Sequence, residues 1–187
     1  MTMKRKGLFL AVCVVCLMAG LAFAELPKVE TPIIATTCGQ SPGAMMVKMS
    51  SMQAKVTPIE DSKTITAQEL SEKDGKTLVV TTGTSMKGMG AAGTNVDKEI
   101  ARCTALIEAA KKKGMLVIGA HVEGMARRTD ASDEATIKAI MPLADVIMVI
   151  EDSNSDGFFT EYAKEQGKEL IVVKDALGIG AKLAELK

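Results

Sequence analysis

The chain has 187 residues, 23 basic and 23 acidic side chains, one histidine and four cysteines. A neutral balance leaves no basic footprint for nucleic acid. The length suits one domain with a real core.

The first 24 residues join a basic cluster, Lys4, Arg5 and Lys6, to an apolar run from Leu8 to Leu21 and then to Ala22-Phe23-Ala24, a small-x-small cleavage pattern. This reads as a secretory signal peptide. The run is short for a membrane span of about 20 residues, and Cys13 and Cys16 each follow a valine, which does not suit lipid attachment. Cleavage after Ala24 leaves residues 25–187 as a single domain, exported to the periplasm or beyond and not held at the membrane. It removes three cations and no acid, so the formal charge goes from 0 to −3. Only Cys38 and Cys103 remain, and they are read as small hydrophobes rather than a disulfide.

In chain order, Pro32 to Thr37 is a continuous apolar and β-branched run of the kind buried in a parallel sheet. Pro42 to Ala54 follows as a helix, with apolar residues at 45, 46, 49 and 52, Ser41 as N-cap and Pro42 at its first position. Val56 to Ile59 reads as a short strand, and Thr66 to Leu70 as a short helix with Thr66 and Glu69 in a capping box. Thr77 to Thr82 is a strand, Gly83 to Gly93 a glycine-rich loop, and Asn95 to Lys113 the longest helix, with cations and then glycine at its end.

Leu116 to Val122, Val146 to Ile150 and Leu170 to Val173 complete the strands. The remaining helices are Ser132 to Leu143, Gly157 to Gln166 capped by Asp156, and Leu177 to Leu186. Alternating strands and helices with short links predict a three-layer, doubly wound α/β domain, Rossmann-like or flavodoxin-like, on a mostly parallel sheet of five or six strands. If Val56 to Ile59 is a strand, the order 3-2-1-4-5-6 is expected; otherwise a five-stranded flavodoxin-like order. A ligand then sits at the carboxyl ends of the strands. In the six-stranded order the flanking loops are Cys38 to Gly43 and His121 to Thr129.

Three motifs carry candidate chemistry. Gly39-Gln40-Ser41-Pro42-Gly43 has the G-x-S-x-G spacing of a hydrolase elbow, but the residue after the serine is Pro42, with no N–H to give an oxyanion hole. Cys38 lacks the arginine of a phosphatase loop, since Ala44 stands at that position. Gly88, Gly90 and Gly93 match G-x-G-x-x-G, but on the wrong strand for a dinucleotide site, and the first acid after the next strand, Glu123, lies 35 residues past Gly88 rather than about 20. No cofactor is expected.

What remains is a helix start with backbone N–H groups and Ser41, faced by a loop with His121, Arg127 and Arg128, of which Arg suits bidentate carboxylate or phosphate binding. The main expectation is therefore a small anionic molecule held by Gly39, Gln40, Ser41, Lys87, Gly88, Gly90, His121, Arg127 and Arg128, with Phe158 walling the crevice. The alternative is a hydrolase or transferase using Cys38 or Ser41 as nucleophile and His121 as base. A third reading gathers Met45, Met46, Met49, Met52, Met86, Met89 and Met125 with Cys38 and His121 around a soft metal such as copper, against methionine as ordinary core filler.

The segments TTCGQSPGAMMVK, SMKGMGAAGTNVDKEIARCTALIEAAKKKG, GAHVEGMARR and DGFFTEYAKE resemble an uncharacterised family of exported bacterial α/β proteins, known only as a domain of unknown function. The resemblance spans nearly all of residues 25–187. It implies an exported bacterial protein of α/β fold and supplies no activity, ligand or catalytic residue.

Overall fold

The computed structural model describes residues 26–187, so the signal-peptide reading of residues 1–24 lies outside the described residues. The β-branched runs form six strands: β1 (Ile33–Cys38), β2 (Ile59–Asp61), β3 (Thr77–Thr82), β4 (Leu116–His121), β5 (Val146–Ile150) and β6 (Glu169–Val173). Between them lie α1 (Gly43–Gln53), α2 (Ala67–Glu72), α3 (Met86–Ala91), α4 (Val96–Lys112), α5 (Ala131–Ile140), α6 (Phe158–Glu165) and α7 (Ala176–Glu185). Among the described residues no helix is long and apolar enough to cross a membrane.

Every strand pairing is parallel, in the order β2-β1-β3-β4-β5-β6. This is a doubly wound α/β fold of six strands, with the flavodoxin-like arrangement extended by an edge strand. The expected order 3-2-1-4-5-6 does not form. The second strand exists, three residues later than expected, but the crossover from β2 passes β1 and lands β3 on its other side. The switch point therefore lies between β1 and β3, and its flanking loops are Cys38 to Gly43 and Gly83 to Ser85, not the loop after β4.

Alternation along the strands sorts the two faces. Ile33, Ala35, Val79, Ile118, Ala120 and Met148 point to one core, under α1 and α7. Ile34, Cys38, Leu78, Val80 and Val117 point to the other, under α2, α4 and α5, and Ile147 and Val149 continue it beneath α6. β1 and β3 are buried at every position, as their unbroken apolar and β-branched runs require.

Local caps follow the residue chemistry, with corrections. Thr66 and Glu69 form the expected capping box, and Asn95 caps α4. Ser41 does not cap α1: Pro42 holds that position and the Ser41 hydroxyl turns back to Thr37 Oγ1 at 2.8 Å. α5 begins one residue earlier than Ser132 and is capped by Asp130, which accepts from the Ser132 and Asp133 N–H groups. The stretch after β3 is not all loop, because Ser85 accepts from the Gly88 N–H and buried Met89 anchors the α3 turn.

The methionine stripe of α1 is also placed differently from a core. The buried positions of α1 are Gly43, Ala44, Val47, Ser50 and Ser51. Small residues let it approach the sheet and α7 closely, so its bulky positions face outward. At the α7 crossing the Gly180 N–H donates to Ser50 Oγ at 2.7 Å, and that hydroxyl donates to Leu177 O at 2.8 Å. A Cβ on Gly180 would stand 2.1 Å from the Ser50 carbonyl oxygen. Gly180→Ala is therefore expected to lower stability by about 1–3 kcal/mol, although alanine favours a helix interior by roughly 1 kcal/mol over glycine. Urea unfolding decides the sign; a stabilised variant would mean that α7 yields without cost.

Candidate functional site

The carboxyl ends of β1, β3 and β4 are joined by polar contacts drawn from distant parts of the chain. After β1, Gly39 turns at φ +124, a conformation that glycine alone adopts freely, and Gln40 follows at φ 61. The Gly39 carbonyl accepts from the Ser85 N–H at 2.8 Å, which ties the β1 loop to the β3 loop. Gln40 is locked to Lys63 twice, by its Nε2 on the Lys63 carbonyl at 3.0 Å and by the Lys63 ammonium on its own carbonyl at 3.2 Å.

Below this loop lies a buried ion pair. Glu99, 3% exposed, accepts from Arg102 Nη2 at 2.9 Å and from the Gly39 N–H at 3.3 Å. Arg102 also donates to the carbonyls of Thr37 at 2.6 Å and Ile65 at 3.1 Å. Burial pushes the Glu99 carboxyl up, but the Arg102, Gln40 and Gly39 hydrogen bonds outweigh it and hold the group below its ordinary range.

A second carboxylate occupies the start of α1. Glu123 Oε1 accepts from the Gly43 N–H at 3.0 Å and Oε2 from Arg127 Nε at 3.1 Å, with its side chain 6% exposed. Arg127 Nη1 reaches the Thr84 carbonyl at 2.5 Å. Asp133 takes the Thr84 N–H and hydroxyl at 2.7 and 2.8 Å. The helix start expected to receive an outside anion thus holds one of the chain's own.

Arg128 points the other way. Its guanidinium makes a two-pronged pair with Asp156 at 2.8 and 3.0 Å, donates to the Ser153 carbonyl at 2.9 Å and lies 4.2 Å from the Phe158 ring centre. That pair draws the exposed Asp156 carboxyl down to about 2. A groove of about 400 Å³ opens here, lined by Arg128, Thr129, Asp130, Ala131 and Phe158 among others.

Cys38, Ser41 and His121 are all completely buried. Cys38 is paired across the sheet with Thr82, and Thr82 Oγ1 meets His121 Nδ1 at 2.9 Å, so a whole strand separates the thiol from the imidazole. The other ring nitrogen lies 3.3 Å from the Gly124 carbonyl. A carbonyl only accepts, which puts the proton on Nε2 and leaves Nδ1 to accept from Thr82. Burial pushes His121 down to about 4. The thiol of Cys103, beside Cys38, and then burial itself push the Cys38 thiol up; both cysteines are free.

Of the other expected residues, Lys87 and Gly90 are exposed and Gly88 packs near the Gln40 carbonyl. Met45, Met49 and Met52 lie across the sheet from Cys38 and His121. Among the described residues no three His, Cys, Asp or Glu side chains are grouped to hold a metal. Sequence reasoning missed Glu99, Arg102, Glu123, Asp133 and Asp156, which set the polar geometry of this edge. The signals were faint: spacings of three and four residues, Glu99 to Arg102 and Glu123 to Arg127, that are ordinary on any helix or turn.

Residues 30–186 match the family model described as a domain of unknown function, DUF6305. The chain belongs to this family. The family description names no activity. No curated protein matches the chain. One similar solved structure is a Bacteroides fragilis NCTC 9343 protein provisionally called an acylhydrolase, 10% identical, with a TM-score of 0.35, covering 80% of this chain and 72% of that one. A likeness of that size carries no argument about this DUF6305 domain.

Proposed function

We propose that the domain is a non-catalytic exported binding module that takes a small anionic molecule in the groove beside Arg128 and Phe158. The observation that carries this is the held guanidinium of Arg128, 4.2 Å from the Phe158 ring centre at the wall of a groove of about 400 Å³. Its partner Asp156 is 46% exposed in its side chain. The Arg128 side chain is only 11% exposed, so its fork is held in place while Asp156 faces water, and a ligand carboxylate or phosphate can take the place of Asp156 on that fork. The ring supplies an apolar wall.

Arg127 suits this role less well, because its partner Glu123 is nearly buried and also satisfies the Gly43 N–H. The non-catalytic reading is supported by Cys38 and Ser41, which are inaccessible, and by His121, whose two nitrogens are already engaged.

The test is a thermal-shift screen of small carboxylates and phosphates. At a concentration of about one hundred times Kd a ligand adds roughly 2.7 kcal/mol, and a domain of this size gains about 2–4 °C per kcal/mol. A hit is expected to disappear in Arg128→Ala. If no compound stabilises the protein, or if Arg128→Ala responds as the wild type does, the reading is dropped.

A further inference from the structure

The described residues hold two cysteines, and the fold sets them side by side. Cys38 closes β1 and Cys103 stands in the middle of α4. Both side chains lie in the core between the sheet and α4, completely buried and free. The Cys103 thiol donates to the Thr37 carbonyl at 3.7 Å, and that carbonyl belongs to the peptide that joins Thr37 to Cys38. Arg102 donates to the same oxygen at 2.6 Å, so two consecutive residues of α4 fix the helix against this one peptide of β1.

We propose that Cys38 and Cys103 are an oxidisable pair, which an external disulfide converts into an intramolecular bond that staples α4 to the carboxyl end of β1. In the exchange one protein thiolate attacks a sulfur of the external disulfide, giving a mixed disulfide and one released thiol. The second protein thiolate attacks the protein-side sulfur, closes the Cys38–Cys103 bond and releases the other thiol. The pair gives up two protons and two electrons, and the external disulfide takes both and leaves as two thiols.

Burial sets when this can happen. Neither sulfur is open to an oxidant in the folded domain, and the neighbouring Cys103 and then burial hold the Cys38 thiol above its ordinary range, away from the reactive thiolate. The bond therefore forms while the chain folds or when α4 lifts from the sheet, and once formed it is shielded from reductants. It closes a loop of roughly 65 residues, which restricts the unfolded chain more than the native one. It also pins the part of α4 that carries Glu99 and Arg102, the ion pair beneath the Gly39 turn. The exported compartment expected for this chain is one where such bonds persist. The pair is separate from the groove at Arg128, and either can exist without the other.

The experiment refolds the purified protein from urea in oxidised glutathione and, in parallel, incubates native protein with the same reagent. Alkylation in denaturant, trypsin digestion and mass spectrometry then look for a link between residues 29–48, which carry Cys38, and residues 103–111, which begin with Cys103. Refolded protein is expected to carry the link, and native protein to acquire it at least about tenfold more slowly. The linked protein should melt about 5–15 °C above the reduced protein, and Cys103→Ala should show neither the link nor the rise. The proposal is overturned if both thiols remain open to alkylation after refolding, if the link joins two chains, or if the linked protein melts no higher than the reduced one. Native protein that links as fast as refolding protein would overturn the dependence on opening.

Discussion

Glu99→Gln is expected to lower the unfolding free energy by about 3–5 kcal/mol, the usual cost of removing one partner of a buried ion pair. The new amide keeps the shape of the side chain and loses its charge. Arg102 then stays buried at 14% side-chain exposure with only neutral acceptors, the carbonyls of Thr37 and Ile65 and the hydroxyl of Thr36. The Gly39 N–H and Arg102 both donate to the same oxygen, Oε2, so the amide oxygen can keep those two bonds and the variant isolates the loss of charge. Chemical denaturation at neutral pH measures the loss.

The double variant Glu99→Leu with Arg102→Met separates charge from packing, because replacing both ions by apolar groups is often neutral or stabilising. Recovery of most of the stability is expected. A single-variant loss below about 1 kcal/mol would show that water reaches the pair and screens it as it does a surface ion pair.

The second large effect is on pH dependence. An unfolded imidazole titrates near 6.5, while burial holds native His121 at about 4. Between those values the unfolded chain binds more protons, so stability rises with pH across this window. The contribution of the neutral ring is complete above about pH 6.5 and is lost as pH falls towards 4. A difference of this size is worth roughly 3 kcal/mol, at about 1.4 kcal/mol per unit.

Because His121 is the only histidine, a single ring resonance follows it in the native protein. That resonance should stay flat from pH 8 to 5 and move only near 4, whereas urea midpoints should fall as pH drops from about 6.5 towards 4. A native midpoint near 6.5 would mean that water reaches the ring. The same result would reopen His121 as a base, because only a solvated imidazole exchanges protons freely at neutral pH.

The candidate site was legible in part. Cys38, Gly39, Ser41 and His121 are at strand ends where the pattern put them, since a β-branched run followed by glycine marks a carboxyl end locally. Arg127 and Arg128 looked like one cationic pair from their adjacency. The fold sends them apart, one to Glu123 and Thr84, the other to Asp156 and Phe158. Partners so far away in the chain, such as Gly39 with Glu99 at a separation of 60 residues, leave no periodic trace.

By itself the sequence determined five of the strands and left the short second one conditional, and it marked the capping box at Thr66 and an α/β alternation that favours a parallel, doubly wound sheet. These are local properties, carried by side-chain periodicity and by hydroxyl or amide groups near a helix start. Two things were decided only in three dimensions. The crossover after β2 could place β3 outside β2 or beyond β1 with the same hand and the same strand sequence, and the choice moved the switch point to the loops after β1 and β3. The orientation of α1 was likewise open, because periodicity reports that the two sides of a helix differ, not which side is buried. Close packing of Ser50 on Gly180 favoured the small side and turned Met45, Met49 and Met52 to solvent.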